Sequence, residues 1–428
     1  MGFTSDETDL LRRVVPSREV EFQDPTRFDA YNAFFYVFLH GTEEEQTYAL
    51  RMLSSEPLER QSQVWFIDNG CVSCLIRYAS QSRVSPVSRE LALRLLMSVT
   101  FELSVGLPYP TDLGNNHFQQ LGSILRKYPA NAFHILWILY ELTKFELGRR
   151  GVMGAGIHDT LGKIVLSQVN SRIIAAALYL LCDLAGDEAC VDTLIKLNVF
   201  RMFRVSLHHY LSRNVFNADF YTISQDSKDI RFMWRFVTCD GNQRMKFQDV
   251  DLVAAYYRLN KSLPIAWIEV KKPWFELILT LIQHPTVIER AAHLGQYVFV
   301  CLKSVLLLAT DGNVMRLIEI VSNLVQARHE EALKWIFNKG LIKIILLRYP
   351  WRKFTDCPSN TQQIMEEVLL LILKVFDTLP HTIYAQYESP EKLRLDYELD
   401  TVFHIQWPNR IKDSLTNICT HLNLVISD

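Results

Sequence analysis

The chain has 428 residues, with 45 Lys plus Arg against 47 Asp plus Glu and a formal charge of −2. That balance argues against a protein whose main business is gripping nucleic-acid phosphates, and 49% hydrophobic content argues against global disorder. Only 16 Gly and 15 Pro speak against an all-β chain, and 8 Cys are too sparse for a disulfide scaffold. The opening MGFTSDETDLLRRVVP has no apolar core of signal-peptide type. Lys303 interrupts VFVCLKSVLLLA, and no uncharged apolar run reaches the roughly 18 residues a membrane crossing needs. The expectation is a soluble protein of cytoplasm and nucleus with reduced thiols.

Residues 1–26 read as a short flexible arm. Thr42 with Glu45 forms a capping pair ahead of the apolar stretch Tyr48–Leu53. Gly70 then stands between Ile67 and the run Val72, Leu75, Ile76. The same template returns at Gly156, between Met153 and Ile157, Leu161, Ile164. It returns again at Asn198, between Ile195 and Val199, Phe200, Phe203. A fourth copy is centred on Gly340, between Phe337 and Leu341, Ile342, Ile345. Gly, and next Asn, best tolerate the left-handed conformation where one helix ends and another begins. Between two of these centres, Ile173, Ile174, Ala177, Leu178, Leu181, Leu184 and Ala185 form one stripe at helical period. The stripe is broken over Phe216–Asp251, so residues 213–262 read as an irregular or inserted stretch. Asn360 and Gln363 read as a second capping pair before Ile364, Val368, Leu371, Ile372, Val375, Phe376 and Leu379.

The four centres are spaced by whole multiples of a period near 40–47 residues, with room for an insertion before the last; that period is the armadillo/HEAT class. The predicted fold is all-α: an armadillo/HEAT-like right-handed α-solenoid of about nine to ten degenerate repeats over residues 27–428. A non-repetitive helical domain is the competing reading. A solenoid has no closed interior pocket, and its long concave face suits an extended partner. Function is therefore expected to mean binding rather than catalysis.

Three stretches carry a family resemblance: SNLVQARHEEALKWIFNKGLIKIILL (322–347), LSSEPLERQSQVWFIDNGCVSCLIRYASQSRVSPVSRELALRLL (53–96) and LDYELDTVFHIQWPNRIKDSLTNICTHL (395–422). They resemble, in order, the late repeats, the first-to-second repeat junction and the terminal half-repeat of the importin-alpha family. The resemblance spans about residues 27–428. It implies an adaptor for nuclear protein import that binds an extended, basic segment of nuclear-localisation type. The family reads such segments with W-x-x-x-N pairs on the inner helix of each repeat. Residues four apart share a helix face, the indole packs a Lys or Arg stem with cation–π attraction, and the Asn amide holds the peptide backbone.

On that alignment the pairs are Leu93 and Met97, Trp137 and Glu141, Tyr179 and Asp183, Trp234 and Thr238, Trp274 and Ile278, and Glu319 and Asn323. No pair is intact. The resemblance thus implies a peptide-binding set of Trp137, Glu141, Tyr179, Asp183, Trp234, Trp274 and Asn323, with Glu141 and Asp183 meeting a basic ligand by charge. An ordinary core role competes for each aromatic. The arm carries one Arg pair, Arg12 and Arg13, among Asp6, Glu7 and Asp9. It falls short of the family's long basic importin-beta-binding segment, so direct importin-beta binding is not expected.

Other constellations are weak. Cys71-x-x-Cys74 lacks the second pair of a structural zinc site and reads as buried thiols. Gly154-Ala155-Gly156 lacks the third glycine and preceding strand of a dinucleotide loop and reads as a helix–helix turn. His208-His209, His329-Glu330-Glu331 and His158-Asp159 match no metal or nucleophile pattern. Arg348, Arg352 and Lys353 read as a solvated loop. No catalytic residue, metal, cofactor, membrane or nucleic-acid partner is expected. The alternative function is an armadillo scaffold that has left transport and serves one complex.

Overall fold

Gly70, Gly156 and Asn198 all turn the backbone left-handed, with φ of 68°, 65° and 59°. Each sits where one helix gives way to the next, as the repeat template requires. Gly340 lies outside the residues the structure describes. Those residues, in this computed structural model, are 27–54, 58–167, 170–206, 265–284, 310–326 and 351–378, with isolated residues between 286 and 416. The stretch 213–262 and the arm 1–26 also lie outside them, as does the count of repeats.

Regular structure among the described residues is entirely helical, and the chain is all-α. No helix among them is long and apolar enough to cross a membrane. Contacts divide the chain into two compact units, Met1–Leu184 and Ala185–Asp428. The first holds α1 (Arg27–His40), α2 (Glu43–Leu53), α3 (Arg60–Asp68), α4 (Cys71–Ser80), α5 (Pro86–Thr100), α6 (Asn115–Lys127), α7 (Ala132–Thr143), α8 (Glu146–Gly154), α9 (Ile157–Ser167) and α10 (Ser171–Ala185), the last reaching the boundary.

Within this unit α2 packs on α5 and α5 on α7, while α4 packs on α6 and α6 on α9. These are two parallel rows of equivalent helices, as expected of a solenoid. The polar links between rungs have the repeat spacing. Thr47 and Ser88 hydroxyls meet at 2.8 Å across 41 residues, and the Arg60 guanidinium donates to the Glu102 carbonyl at 3.3 Å across 42. The core behind them is the apolar stripe. Val72, Leu75, Ile76, Ala92, Leu93, Leu96, Ile135, Leu139, Ile157, Leu161, Ala177, Leu178 and Leu181 are all fully buried.

The capping reading is right at α2, where the Thr42 amide donates to Glu45 Oε2 at 2.8 Å and the Glu45 amide to Thr42 Oγ1 at 3.4 Å. Arg89 shows what periodicity conceals. It is buried within α5, and its guanidinium donates to the carbonyls of Ala79 and Gln81 at 2.9 Å and Val84 at 3.0 Å, over the face of Tyr128 at 3.7 Å. It thereby neutralises the negative end of α4 and the turn that follows. Truncation to Ala would strand those carbonyls at a cost on the order of 3 kcal/mol.

One rung is irregular. Where the template calls for a first helix, residues 101–114 run as a loop, left-handed at Glu102 (φ 53°) and Gly106 (φ 80°). Leu103 and Leu107 bury into the core, and the Gln63 amide donates to the carbonyls of Ser98 (2.8 Å) and Phe101 (3.0 Å), closing the end of α5. This loop holds Phe101 and Leu103 beside α7. Further along, α8 approaches the end of α7 so closely that a Cβ on Gly148 would lie 1.9 Å from the Leu142 carbonyl oxygen.

The second unit contains α11 (Glu188–Lys196), a helical segment over 199–206, α12 (Ile265–Ile282), α13 (Asp311–Gln326) and α14 (Ser359–Thr378). α12 packs on α13 and α13 on α14. The repeat spacing recurs: Arg316 pairs with Glu276 at 2.7 Å across 40 residues, and the Tyr349 hydroxyl donates to Asp311 at 3.0 Å across 38. The capping reading fails at α14. The helix begins at Ser359, so Asn360 lies inside it, and the Gln363 side chain bonds Glu367 instead of reaching back. The carbonyl of Pro358 takes the amides of Thr361 and Gln362 and starts the helix.

Candidate functional site

α7 is apolar nearly all round, and its two faces divide the work. Ile135, Leu136, Ile138, Leu139 and Leu142 are fully buried. Phe133, Trp137, Tyr140 and Lys144 follow one another at spacings of four, three and four along the other face, one side of the helix. The rings form a ladder. Trp137 lies stacked with Phe101, centroids 6.3 Å apart and planes within 11°, and has Phe133 at 6.3 Å and Tyr140 at 6.0 Å. Tyr140 meets Tyr179 of α10 edge-on at 6.2 Å. Phe101 is 47% exposed and Phe133 39%, so the ladder opens to solvent at that end.

Acidic groups run alongside. Asp183, one turn beyond Tyr179, accepts from the Thr143 hydroxyl at 3.2 Å and from Lys144 Nζ at 2.8 Å. The same Nζ stands 3.7 Å from the centroid of the Tyr140 ring. Burial pushes the Lys144 ammonium toward losing its proton, but hydrogen bonding to Asp183 and Tyr140 outweighs this and holds it above the ordinary lysine value. Burial pushes the Asp183 carboxyl up, and Lys144 only partly counters it. Glu141 is buried; burial pushes its carboxyl up, opposed by Lys144 and by a hydrogen bond from the Leu103 amide, and reinforced by the charges of Asp183 and Glu102. Three carboxylates thus gather at one end of the aromatic ladder, with the charges of Lys144 and Arg149 set against them.

The predicted site residues divide. Trp137, Glu141, Tyr179 and Asp183 come together in the first unit, on α7 and α10. Glu141 is only 6% exposed, so it acts through its field rather than by contact. Trp234 lies outside the described residues. Trp274 is a correction: it is 0% exposed, packed against Phe203 at 5.3 Å, and a side chain without exposed surface cannot wall a peptide. Its partner position, Ile278, is equally buried, because the broad apolar stripe of α12 turns both inward. Leu93 of the first pair is in the core as well. Asn323 is exposed on α13, one turn from exposed Glu319, with no aromatic at the paired position.

Phe101, Phe133, Tyr140 and Lys144 were not among the predicted residues. Tyr140 in α7 and Lys144 at its C-cap are four apart, a spacing that brings a cation over a ring and is visible in the sequence. Phe101 has no such signal, because the irregular loop places it. Of the other constellations, Cys71 is buried with its thiol pushed up by burial, and Cys74 accepts a hydrogen bond from Arg77 at 3.2 Å. Gly154-Ala155-Gly156 is a helix–helix turn. His208-His209, His329-Glu330-Glu331 and Arg348 lie outside the described residues.

No protein-family model matches the chain, and no curated protein does. Among solved structures 55 chains match. Two of them are crystal structures of engineered proteins from a structural genomics consortium. One is 11% identical, with a TM-score of 0.39, covering 81% of this chain and 97% of its own. The other is 11% identical, with a TM-score of 0.34, covering 92% and 99%.

Proposed function

We propose that the ladder on α7 and α10 binds an extended, basic protein segment, and that the protein is an importin-alpha-like adaptor working between cytoplasm and nucleus. One observation carries this reading: the site already holds a lysine. The ammonium of Lys144 rests over the Tyr140 ring and against Asp183, the environment that a ligand lysine needs. Trp137 and Phe101 extend the aromatic wall next to it, and the carboxylates of Glu141, Glu102 and Asp183 gather around the Lys144 ammonium.

The test is a titration with a fluorescein-labelled, lysine-rich peptide, followed by anisotropy. Binding at about micromolar Kd is expected, weakened by added salt and lost on Trp137→Ala with the fold intact by circular dichroism. Absence of binding to a panel of such peptides would refute the reading. It would favour the alternative, a scaffold dedicated to one complex. That alternative has its own support, since Trp274 and Ile278 are withdrawn into the core.

A further inference from the structure

We infer that Lys144 is an internal occupant of the cation subsite, so that a ligand lysine enters between Tyr140 and Asp183 only by displacing it. This deepens the proposed function and rests on it. The geometry is that of a bound ligand. Lys144 is the first residue past α7, and its chain folds back over the helix's own Tyr140 to place Nζ 3.7 Å from the ring centroid. The ammonium reaches across to α10, with Asp183 Oδ1 and Oδ2 both 2.8 Å away. The backbone behind it is held independently: the Arg149 guanidinium donates to the carbonyls of Thr143 at 3.0 Å and Lys144 at 3.4 Å. The anchor of the side chain is therefore firm, while the side chain itself is 26% exposed and its partner Asp183 21%. The pair is partly open to solvent, and the carboxylate and ring that hold the Lys144 ammonium offer the same contacts to a ligand's ammonium, so one can replace the other without disturbing the helices.

The consequence is a raised threshold. A bound self-ligand lowers apparent affinity by the fraction of time that the subsite is free. A single lysine gains little, because it trades one ammonium for another. A segment that also covers Trp137 and Phe101 gains enough to displace Lys144. Lys144 thereby selects for basic segments carrying an apolar or long-stemmed neighbour, and it keeps isolated lysines out.

The experiment compares wild type, Lys144→Met and Lys144→Arg in anisotropy titrations with a fluorescein-labelled oligolysine peptide. Met keeps the stem over Tyr140 and removes the charge; Arg keeps the occupant. The expected result is binding roughly tenfold tighter to Lys144→Met than to wild type, with Lys144→Arg within about twofold of wild type, a lowered melting temperature for Lys144→Met alone, and all three folded by circular dichroism at the titration temperature. Equal or weaker binding to a folded Lys144→Met, with wild type still binding in a Trp137-dependent way, would overturn the internal-occupant inference and leave the proposed function standing. No binding to any of the three would overturn both.

Discussion

Two tryptophans assigned to one role lie in opposite environments. Trp137, in the first unit, is only partly buried, in a run of five rings. Trp274, in the second, has no exposed surface and meets Phe203 edge-on and fully covered. Both occupy the first position of a W-x-x-x-N pair by alignment. The difference lies in what surrounds them on their helices. On α7 the residues that share a face with Trp137 are Phe133, Tyr140 and Glu141, and the stripe of fully buried apolar residues lies elsewhere. On α12 Trp274 is itself part of the stripe, with Phe275, Ile278, Leu281 and Ile282. An aligned aromatic is a ligand-binding residue only where the core is already complete without it.

The contrast yields its largest test in stability. Trp274→Ala should cost about 3–5 kcal/mol, the usual price of emptying a large aromatic from a packed core, read as a lowered urea midpoint. Trp137→Ala should cost about half as much or less, since part of the ring is already in water, yet it should abolish peptide binding. Comparable losses at both positions would erase the distinction drawn between the two regions.

A smaller effect concerns acid. The folded state holds the Glu141 proton more tightly than the unfolded chain, because the carboxyl is pushed up from its ordinary 4.5. The folded state therefore binds more protons in the window above 4.5, and this group's contribution makes stability fall as pH rises through that window, then level off. Glu141→Gln keeps an oxygen for the Leu103 amide and removes the titration. The variant should gain stability relative to wild type as pH rises from about 4 to 7, by chemical denaturation at each pH. A constant difference across that range would mean that the carboxyl is not strained. The smallest effect is expected in the second unit. Arg316 pairs with Glu276 and also donates to Thr280 at 3.3 Å and Gln283 at 3.1 Å, all at a partly exposed surface. Arg316→Ala should cost no more than about 1 kcal/mol, and less at high salt.

The repeat was legible in the residues. Helical period, the left-handed positions at Gly70, Gly156 and Asn198, and the capping box at Thr42 are local properties, set by backbone sterics and by neighbours three or four places away. Half of the candidate site was legible too, since Trp137 with Glu141 and Tyr179 with Asp183 follow from one spacing on two equivalent helices. What the tertiary structure decided is which face of each helix remained uncovered. The loop over residues 101–114 replaced a helix and brought Phe101 against Trp137 and Leu103 over Glu141. Packing turned Trp274 inward, and the approach of α10 to α7 gave Lys144 a carboxylate 39 residues away. These outcomes depend on contacts between segments distant in the chain, and a side chain's burial is a property of its neighbours in space, which no local period encodes.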